Sequence, residues 1–330
     1  MVTMKDIANR LNLSRCTVSN ILNGKLQNKT YKKETIELVL KTAEEMGYVS
    51  NTIAQSLKTG MTMTIAVVVP DFANSYYINI VKEIEQLAAK DNYNLIICIA
   101  EEKLEKENKI LTMLRSRMTD GIIISPISYK ESLQDTQGMN IVCFDRKVEG
   151  SDIPYIIADN EPATDLMTTR MIEKGVKKPL YIATSDGDYT IRYRVKGFRN
   201  ALERAGYVVE DRQICYHIYN EKQAYERLID LVEKQGVFFD GIILSTNYVV
   251  YGIKEALQKL RLDIPLAGFD NFAGSNLEKS KMLIASWPEK EIAKNAYEQL
   301  YCLMHNREAK SMILHHKMWN GENTESVFQE

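Results

Sequence analysis

Apolar and polar positions alternate along this chain with two different periods. From about residue 62 onward, short β-branched runs recur: TIAVVV (64–69), NLIICIA (94–100), GIIIS (121–125), IVCFD (141–145), YIIA (155–158), LYIAT (180–184), GIILS (241–245), LAGF (266–269) and MLIAS (282–286). Each is almost continuously apolar, the pattern of a strand buried on both faces. Between them, apolar residues spaced three and four apart predict amphipathic helices over Tyr77–Lys90, Glu105–Arg117, Glu161–Lys174, Arg192–Ala205, Glu221–Gln235 and Val249–Leu260. Such alternation predicts parallel sheets with helices on both faces. Two blocks open alike, with strand, polar loop and helix: TIAVVVPDFANSYYINIVKEI and PLYIATSDGDYTIRYRVKGF. This favours two doubly wound α/β subdomains over one large sheet. Ligands of such folds sit outside the C-terminal strand ends, and two facing subdomains would form a cleft there. The polar segments that follow strands are therefore candidates: Asp71–Tyr77, Asp145–Arg146, Ser185–Arg194, Ser245–Tyr248 and Phe269–Asn271.

The first 47 residues carry only the helical period. Thr3 with Asp6 three positions later reads as a capping box opening a first helix, with Ile7, Ala8 and Leu11 inward. Asn12 follows at a turn and tolerates the left-handed backbone needed there. Ser14 suits the N-cap of a second helix with Val18, Ile21 and Leu22 inward. Lys32–Met46 reads as a third helix, with Ile36, Val39, Leu40, Ala43 and Met46 on one face and Gly47 as its stop. Three short helices with a tight turn between the first two predict a small all-α helix-turn-helix head. The second helix of that unit enters the major groove. Arg15 can donate two bonds to guanine, Asn20 can bond adenine or a phosphate, and Cys16 can touch a thymine methyl. Ser14, Thr17, Ser19 and Asn23 suit phosphates. The stretch VSNTIAQSLK (49–58) reads equally as a plain linker or as one short helix that orders on DNA, with Leu57, beside Ala54, as a minor-groove wedge.

Charge supports this division. The net charge is −2, yet residues 1–60 hold nine Lys/Arg against five Asp/Glu, or +4, which leaves −6 for the remainder. A basic head on an acidic body points to a polyanion met by the head alone. The five cysteines (16, 98, 143, 215, 302) are scattered without CxxC spacing, and Cys98 and Cys143 lie in apolar runs. They read as reduced thiols of a cytoplasmic protein. No signal peptide and no membrane-spanning apolar run is read.

An enzyme reading finds little support. VVPDFANS carries no G-x-G-x-x-G after the first strand, and no G-x-S-x-G occurs. His315 and His316 are adjacent, so on a strand they would face opposite sides and share no metal. No catalytic residue, cofactor or metal is expected. The alternative to a regulator is a cleft-type small-molecule-binding protein without a role at DNA.

The chain as a whole resembles the LacI/GalR (lactose-repressor) family of bacterial transcription regulators. The motifs that carry the resemblance run in order from end to end: MKDIANRLNLSRCTVSNILNG, AEEMGYVSNTIAQSLKTG, TIAVVVPDFANSYY, CFDR, ADN, RYRVKGF, STN and AGFDN. The resemblance implies a homodimer, in some members a tetramer, that binds double-stranded, pseudo-palindromic operator DNA as a repressor. It implies a sugar-like or nucleoside-type effector in the cleft, periplasmic-binding-protein-like subdomains, and a location in the bacterial cytoplasm, on the nucleoid when DNA-bound. The implied domains are a head at 1–47, a hinge at 48–60, and an effector and dimerisation domain at 61–330. The latter divides into an N-subdomain (about 61–159 and 289–314) and a C-subdomain (about 160–288 and 315–330). The family pattern places effector contacts at Asp71, Tyr76, Tyr77, Asp145, Arg146, Arg194, Tyr219, Asn247 and Asp270. Tyr76, Tyr77, Tyr219 and Trp287 suit stacking on a ring. Asp145, Asp159 and Asp270 suit strand-end caps equally well, and Trp287 suits plain packing at a crossover. Several positions depart from the family pattern: Asn12 for Gly, Lys32 for a Ser cap after a longer loop, Ser75 for Pro, Tyr248 for Asp and Trp287 for Gln. In that loop Tyr31 and the lysines take over DNA contact.

Overall fold

The computed structural model describes residues 2–22, 31–48, 56, 60–72, 74–127, 129–130, 133–187, 189–269 and 282–319, and the backbone of 324–326. Asn23, Ala54, Leu57 and Asp270 lie outside the described residues. The chain divides into two compact units, Met1–Thr62 and Met63–Glu330.

In the first unit, α1 (Met4–Leu11), α2 (Arg15–Leu22) and α3 (Lys33–Glu45) close on a small core. The capping box forms: Asp6 Oδ2 accepts from Thr3 N at 2.8 Å, and Thr3 Oγ1 accepts from Asp6 N at 3.4 Å. The Thr3 hydroxyl, which donates to Asp6 Oδ2 at 2.7 Å, and then the Thr3 N–H hold the Asp6 carboxyl below its usual pKa. Asn12 takes the left-handed conformation at φ 51° and turns the chain into α2. Ser14 caps α2 by accepting from Thr17 N at 3.0 Å. Ile7, Val18 and Val39 are fully buried, with Ala8, Ile21 and Ala43 beside them. Leu40, expected inward, is instead 49% exposed, while Thr42 is buried. The inward stripe of α3 is centred on Val39, Ala43 and Met46. At about 100° per residue, Leu40 falls at the edge of that stripe.

The second unit contains two sheets. The strands of the first are β1 (Thr64–Val69), β2 (Asn94–Ile99), β3 (Gly121–Ile124), β4 (Ile141–Phe144), β5 (Tyr155–Ala158) and β11 (Met312–Leu314), in the order β11-β5-β4-β3-β1-β2. Every pairing in it is parallel. The second sheet has β6 (Pro179–Ile182), β7 (Ile214–Cys215), β8 (Gly241–Leu244), β9 (Leu266–Phe269), β10 (Met282–Ser286), β12 (Lys317–Trp319) and β13 (Thr324–Ser326). Its order is β13-β12-β10-β9-β8-β6-β7, with β12 and β13 antiparallel to their neighbours. Helices α4 (Ser75–Lys90), α5 (Leu104–Ser116) and α10 (Glu289–Met304) pack on the first sheet. Helices α6 (Asn160–Glu173), α7 (Tyr189–Arg204), α8 (Glu221–Gln235) and α9 (Val250–Leu260) cover the two faces of the second.

The continuous apolar runs follow from that layering. Leu180, Ile182, Ile242 and Leu244 feed the core under α8 and α9, while the intervening Tyr181 and Ile243 feed the core under α6 and α7. One expected strand departs from this pattern. NLIICIA forms the edge strand β2, so Ile97 is 45% exposed rather than buried on both sides. The short strands β7, β11, β12 and β13 and helix α10 had no counterpart among the expected elements. Strands of two or three residues are too short to show a period, and they exist because a neighbouring strand pairs with them. Gly197 in RYRVKGF lets α7 approach α6 closely, since a Cβ there would collide with the Glu161 carbonyl oxygen.

The chain passes between the sheets after β5, after β10 and between β11 and β12. One knot ties these passages. Asp159 accepts from the His316 backbone N at 2.9 Å and lies 2.7 Å from His316 Nδ1 and 2.9 Å from His315 Nδ1. The two histidines therefore do not face opposite sides of a strand. They sit in the linker between two strands and converge on one carboxylate. Burial lowers the pKa of His316, whose ring packs 4.7 Å from Trp287 and 5.3 Å from Phe269. Asp159 thus serves this knot rather than capping the helix that follows it.

Candidate functional site: a cleft at the strand ends and the head surface

Segments that follow β1, β2, β4, β6, β8 and β10 converge on one cavity of about 700 Å³ within the second unit. Its size suits a small-molecule site. Asp71, Tyr76, Tyr77, Asp145, Arg146, Arg194, Tyr219 and Trp287 all line it. Asn247 does not. It opens a short 3₁₀ turn over Asn247–Val249, and its neighbours Thr246 and Tyr248 reach the cavity instead.

One wall is a polar cluster on the first sheet. Asp145 Oδ2 accepts from Tyr77 Oη at 2.8 Å and from Ser125 Oγ at 3.2 Å. Burial, then the adjacent Asp145 charge, pushes the Tyr77 phenol well above its ordinary pKa, so it remains a donor. Asp145 has φ 62°, and Arg146 N bonds back to Phe144 O at 2.6 Å. That makes a tight γ-turn, a strained backbone of the kind found at binding sites. The turn aims Arg146 at Glu102, which it meets with both terminal nitrogens at 3.0 and 2.8 Å.

The facing wall is aromatic and cationic. Arg194 donates from Nε to Asn160 Oδ1 at 2.8 Å and from Nη1 to the Ser245 carbonyl oxygen. Its guanidinium lies 3.6 Å over Phe269 and 5.1 Å from Trp287. Trp287 packs on Tyr76 at 4.6 Å between centroids and continues through His316 to the knot at the crossovers. It is thus both cleft wall and crossover packing. Tyr219, 52% exposed, stands at the mouth. Tyr248 reaches across and donates to Asp71 Oδ2 at 3.4 Å.

The sequence reading passed over Glu101, Glu102 and Tyr129, which line the cleft, while Thr190 and Thr246 line it from within the candidate segments Ser185–Arg194 and Ser245–Tyr248. The signal for Glu101 and Glu102 was present, since they directly follow the run NLIICIA. Tyr129 arrives on a loop held by a long-range bond, Ile127 N to Glu107 Oε2 at 2.7 Å, which no local pattern encodes.

On the head, Arg15 and Cys16 are exposed at the start of α2, one turn before the half-buried Ser19 and Asn20. Ser14 Oγ lies 2.9 Å from Thr17 Oγ1 in addition to its cap bond, so these two hydroxyls first serve the helix start. Asn20 Nδ2 donates to Tyr31 Oη at 3.0 Å and sits 3.7 Å from Cys16 Sγ. Tyr31, which packs on the head core, thereby orients Asn20.

The sequence profile of periplasmic binding proteins and the sugar binding domain of the LacI family matches residues 62–315. The profile of the bacterial regulatory proteins of the lacI family matches residues 3–51. The chain belongs to the LacI family. As a LacI-family protein it is a DNA-binding transcriptional regulator with a small-molecule effector domain. This LacI-family chain is 27% identical to the HTH-type transcriptional regulator RegA of Clostridium saccharobutylicum, across 98% of this chain and 99% of RegA. Its fold superposes on the Lac repressor dimer bound to operator and the anti-inducer ONPF with TM-score 0.83, at 17% identity and 99% coverage of both chains. It also resembles the Cra transcriptional dual regulator of Pseudomonas putida in complex with fructose 1-phosphate, with TM-score 0.66, 19% identity and coverage of 76% of this chain and 95% of Cra. Such relatives are regulators rather than enzymes. Among the described residues, no helix of this LacI-family chain is long and apolar enough to cross a membrane.

Proposed function

We propose that the chain is a homodimeric repressor that binds a pseudo-palindromic operator and is controlled by a sugar-like effector in the cleft. Residues 1–47 form the reading head, 48–60 the hinge that orders on DNA, and 61–330 the effector and dimerisation domain. In the head, Arg15, Cys16 and Asn20 read bases. Ser14, Thr17, Ser19, Asn23 and Tyr31 meet the backbone, and Leu57 with Ala54 enters the minor groove. In the cleft, Asp71, Asp145, Arg146 and Arg194 bond ligand hydroxyls, with Asp270 joining them, while Tyr76, Tyr77, Tyr219 and Trp287 stack on its ring. The observation that carries this reading is the convergence of Asp71, Tyr76, Asp145, Arg146, Arg194 and Trp287, from both sheets, on one cavity whose Trp287 wall packs on His316 of the crossover knot. A ligand that changes the angle between the sheets has a direct mechanical path to those crossovers, and a difference in affinity for two angles is what allosteric control requires.

Footprinting of the full chain on fragments of its own genome tests the proposal. The expected result is a two-fold symmetric protected site whose occupancy changes when a free sugar, sugar acid or nucleoside is added. Protection without symmetry, or symmetric protection that no cleft ligand alters, would count against it.

A further inference from the structure

We propose that Glu102 is a resident anion that occupies Arg146 and so makes this cleft select an uncharged, hydroxyl-bearing ring over its phosphorylated or carboxylated form. The inference rests on the cleft being the effector site. Arg146 is almost fully buried, and both of its terminal nitrogens are taken by Glu102 in a two-pronged pair. That fork is the geometry by which arginine binds a phosphate or carboxylate, so an anionic ligand finds it filled. The second cation, Arg194, is engaged by Asn160, the Ser245 carbonyl and the Phe269 ring. Among the described lining residues there is no lysine or histidine.

The backbone at Glu102 is arranged for this purpose. Glu101 and Glu102 both hold left-handed conformations, φ 55° and 52°, which glutamate disfavours. Glu102 N to Pro70 O at 3.2 Å and Lys103 N to Ala100 O at 3.0 Å fix the turn. Lys103 and Lys106 pin Glu101 outside it at 3.0 and 2.9 Å. Strain of this kind persists where the surroundings over-determine it, and such places cluster at ligand sites. Here it delivers a side chain 53% exposed at the rim onto an arginine side chain only 6% exposed beneath. Beyond Arg146 and Arg194 the cleft offers a ligand the carboxylates of Asp71 and Asp145, the Thr246 hydroxyl, buried with no hydrogen-bond partner, and the rings of Tyr76 and Trp287. A hydroxyl-bearing ring meets these at little desolvation cost, whereas a buried anion without a partner carries a large one.

Calorimetry on the full chain tests the assignment with paired probes: D-glucose against glucose 6-phosphate and glucuronate, D-ribose against ribose 5-phosphate, adenosine against AMP. The expected result is binding of at least one uncharged member, with its anionic counterpart about a hundredfold weaker or worse. E102Q and E102A should narrow that gap to within about tenfold by gaining affinity for the anion, while Glu102→Asp keeps it. An anion that binds the wild type as tightly as its uncharged partner overturns the role of Glu102 but leaves an effector site. An unchanged gap in folded E102Q and E102A does the same. Silence from every probe counts against the effector site itself, and the inference falls with it.

Discussion

The two polar surfaces of this molecule are assembled in opposite ways. On the head, the candidate DNA contacts from Ser14 to Asn20 come from one helix of eight residues and its cap, and a single loop tyrosine orients one of them. In the cleft, Asp145 and Trp287 come from two different loops and Arg194 from helix α7. Each is held by a residue distant in sequence, such as Tyr77 at a separation of 68 and Asn160 at 34. Local periodicity places the first kind of surface. The second depends on which strand ends lie side by side, so it tolerates fewer changes in its supports.

The largest expected effect that tests this contrast lies at the contact of α7 with α6, one helical turn from Arg194. Gly197→Ala should force α7 from α6 and destabilise the second unit by about 3 kcal/mol. Both tryptophans, Trp287 and Trp319, lie in that unit, so their fluorescence in a urea titration reports it alone. An unchanged urea midpoint would mean that the close approach of α7 to α6 does not support the cleft side, and the comparison breaks.

Asp159→Ala comes next. It leaves the buried His316 without its Nδ1 partner and should cost about 2 kcal/mol, read by the same titration. The wild type should also respond to pH through this knot. Burial holds the folded-state pKa of His316 below its ordinary 6.5, so the folded form is neutral. The unfolded chain takes up the proton first, so this stability is present above 6.5 and is lost as pH falls below it. His316→Phe should flatten the acid limb of a melting-temperature profile; a profile identical to wild type would remove His316 as the cause.

Arg15→Ala should weaken specific operator binding by about 2 kcal/mol while leaving non-specific binding and cleft affinity unchanged. Competition gel shifts separate the two kinds of binding, and an unchanged specificity ratio would take Arg15 off the reading face. Tyr31→Phe is the mildest change. It releases Asn20 and should cost about 1 kcal/mol or less of specific binding, with no effect on the cleft. A loss as large as that of Arg15→Ala would mean Tyr31 meets the DNA directly.

Much of the fold was legible because its signals are short-range. The β-branched runs became strands at their expected places, and the Thr3–Asp6 box, the left-handed Asn12 and the Ser14 cap all formed. Leu40 shows the limit of this reading, since a residue at the edge of an amphipathic stripe is assigned inward or outward only once the partner helices are set. Ile97 shows a second limit, because nothing in NLIICIA says that its strand will stand at a sheet edge. Within the cleft, the strand-end rule found the segments that carry the aromatic residues and most of the acidic ones but passed over Glu101 and Glu102, and the family pattern chose Asn247 where Thr246 and Tyr248 face inward. A turn of three residues decides which side chain points in, and that turn is set by the packing of Val249 beneath it.

By itself the sequence determined the starts of the first two helices of the head, the strand-helix alternation and the division into a basic head and an acidic body. These depend on backbone sterics, side-chain period and charge within a few residues. Only the tertiary structure decided that Glu102 closes on Arg146, that Arg194 is engaged by Asn160 and Phe269, and that His315 and His316 share Asp159. Those pairings join groups tens to more than a hundred residues apart. Their partners are chosen by the order of strands in the sheets, which no local pattern carries.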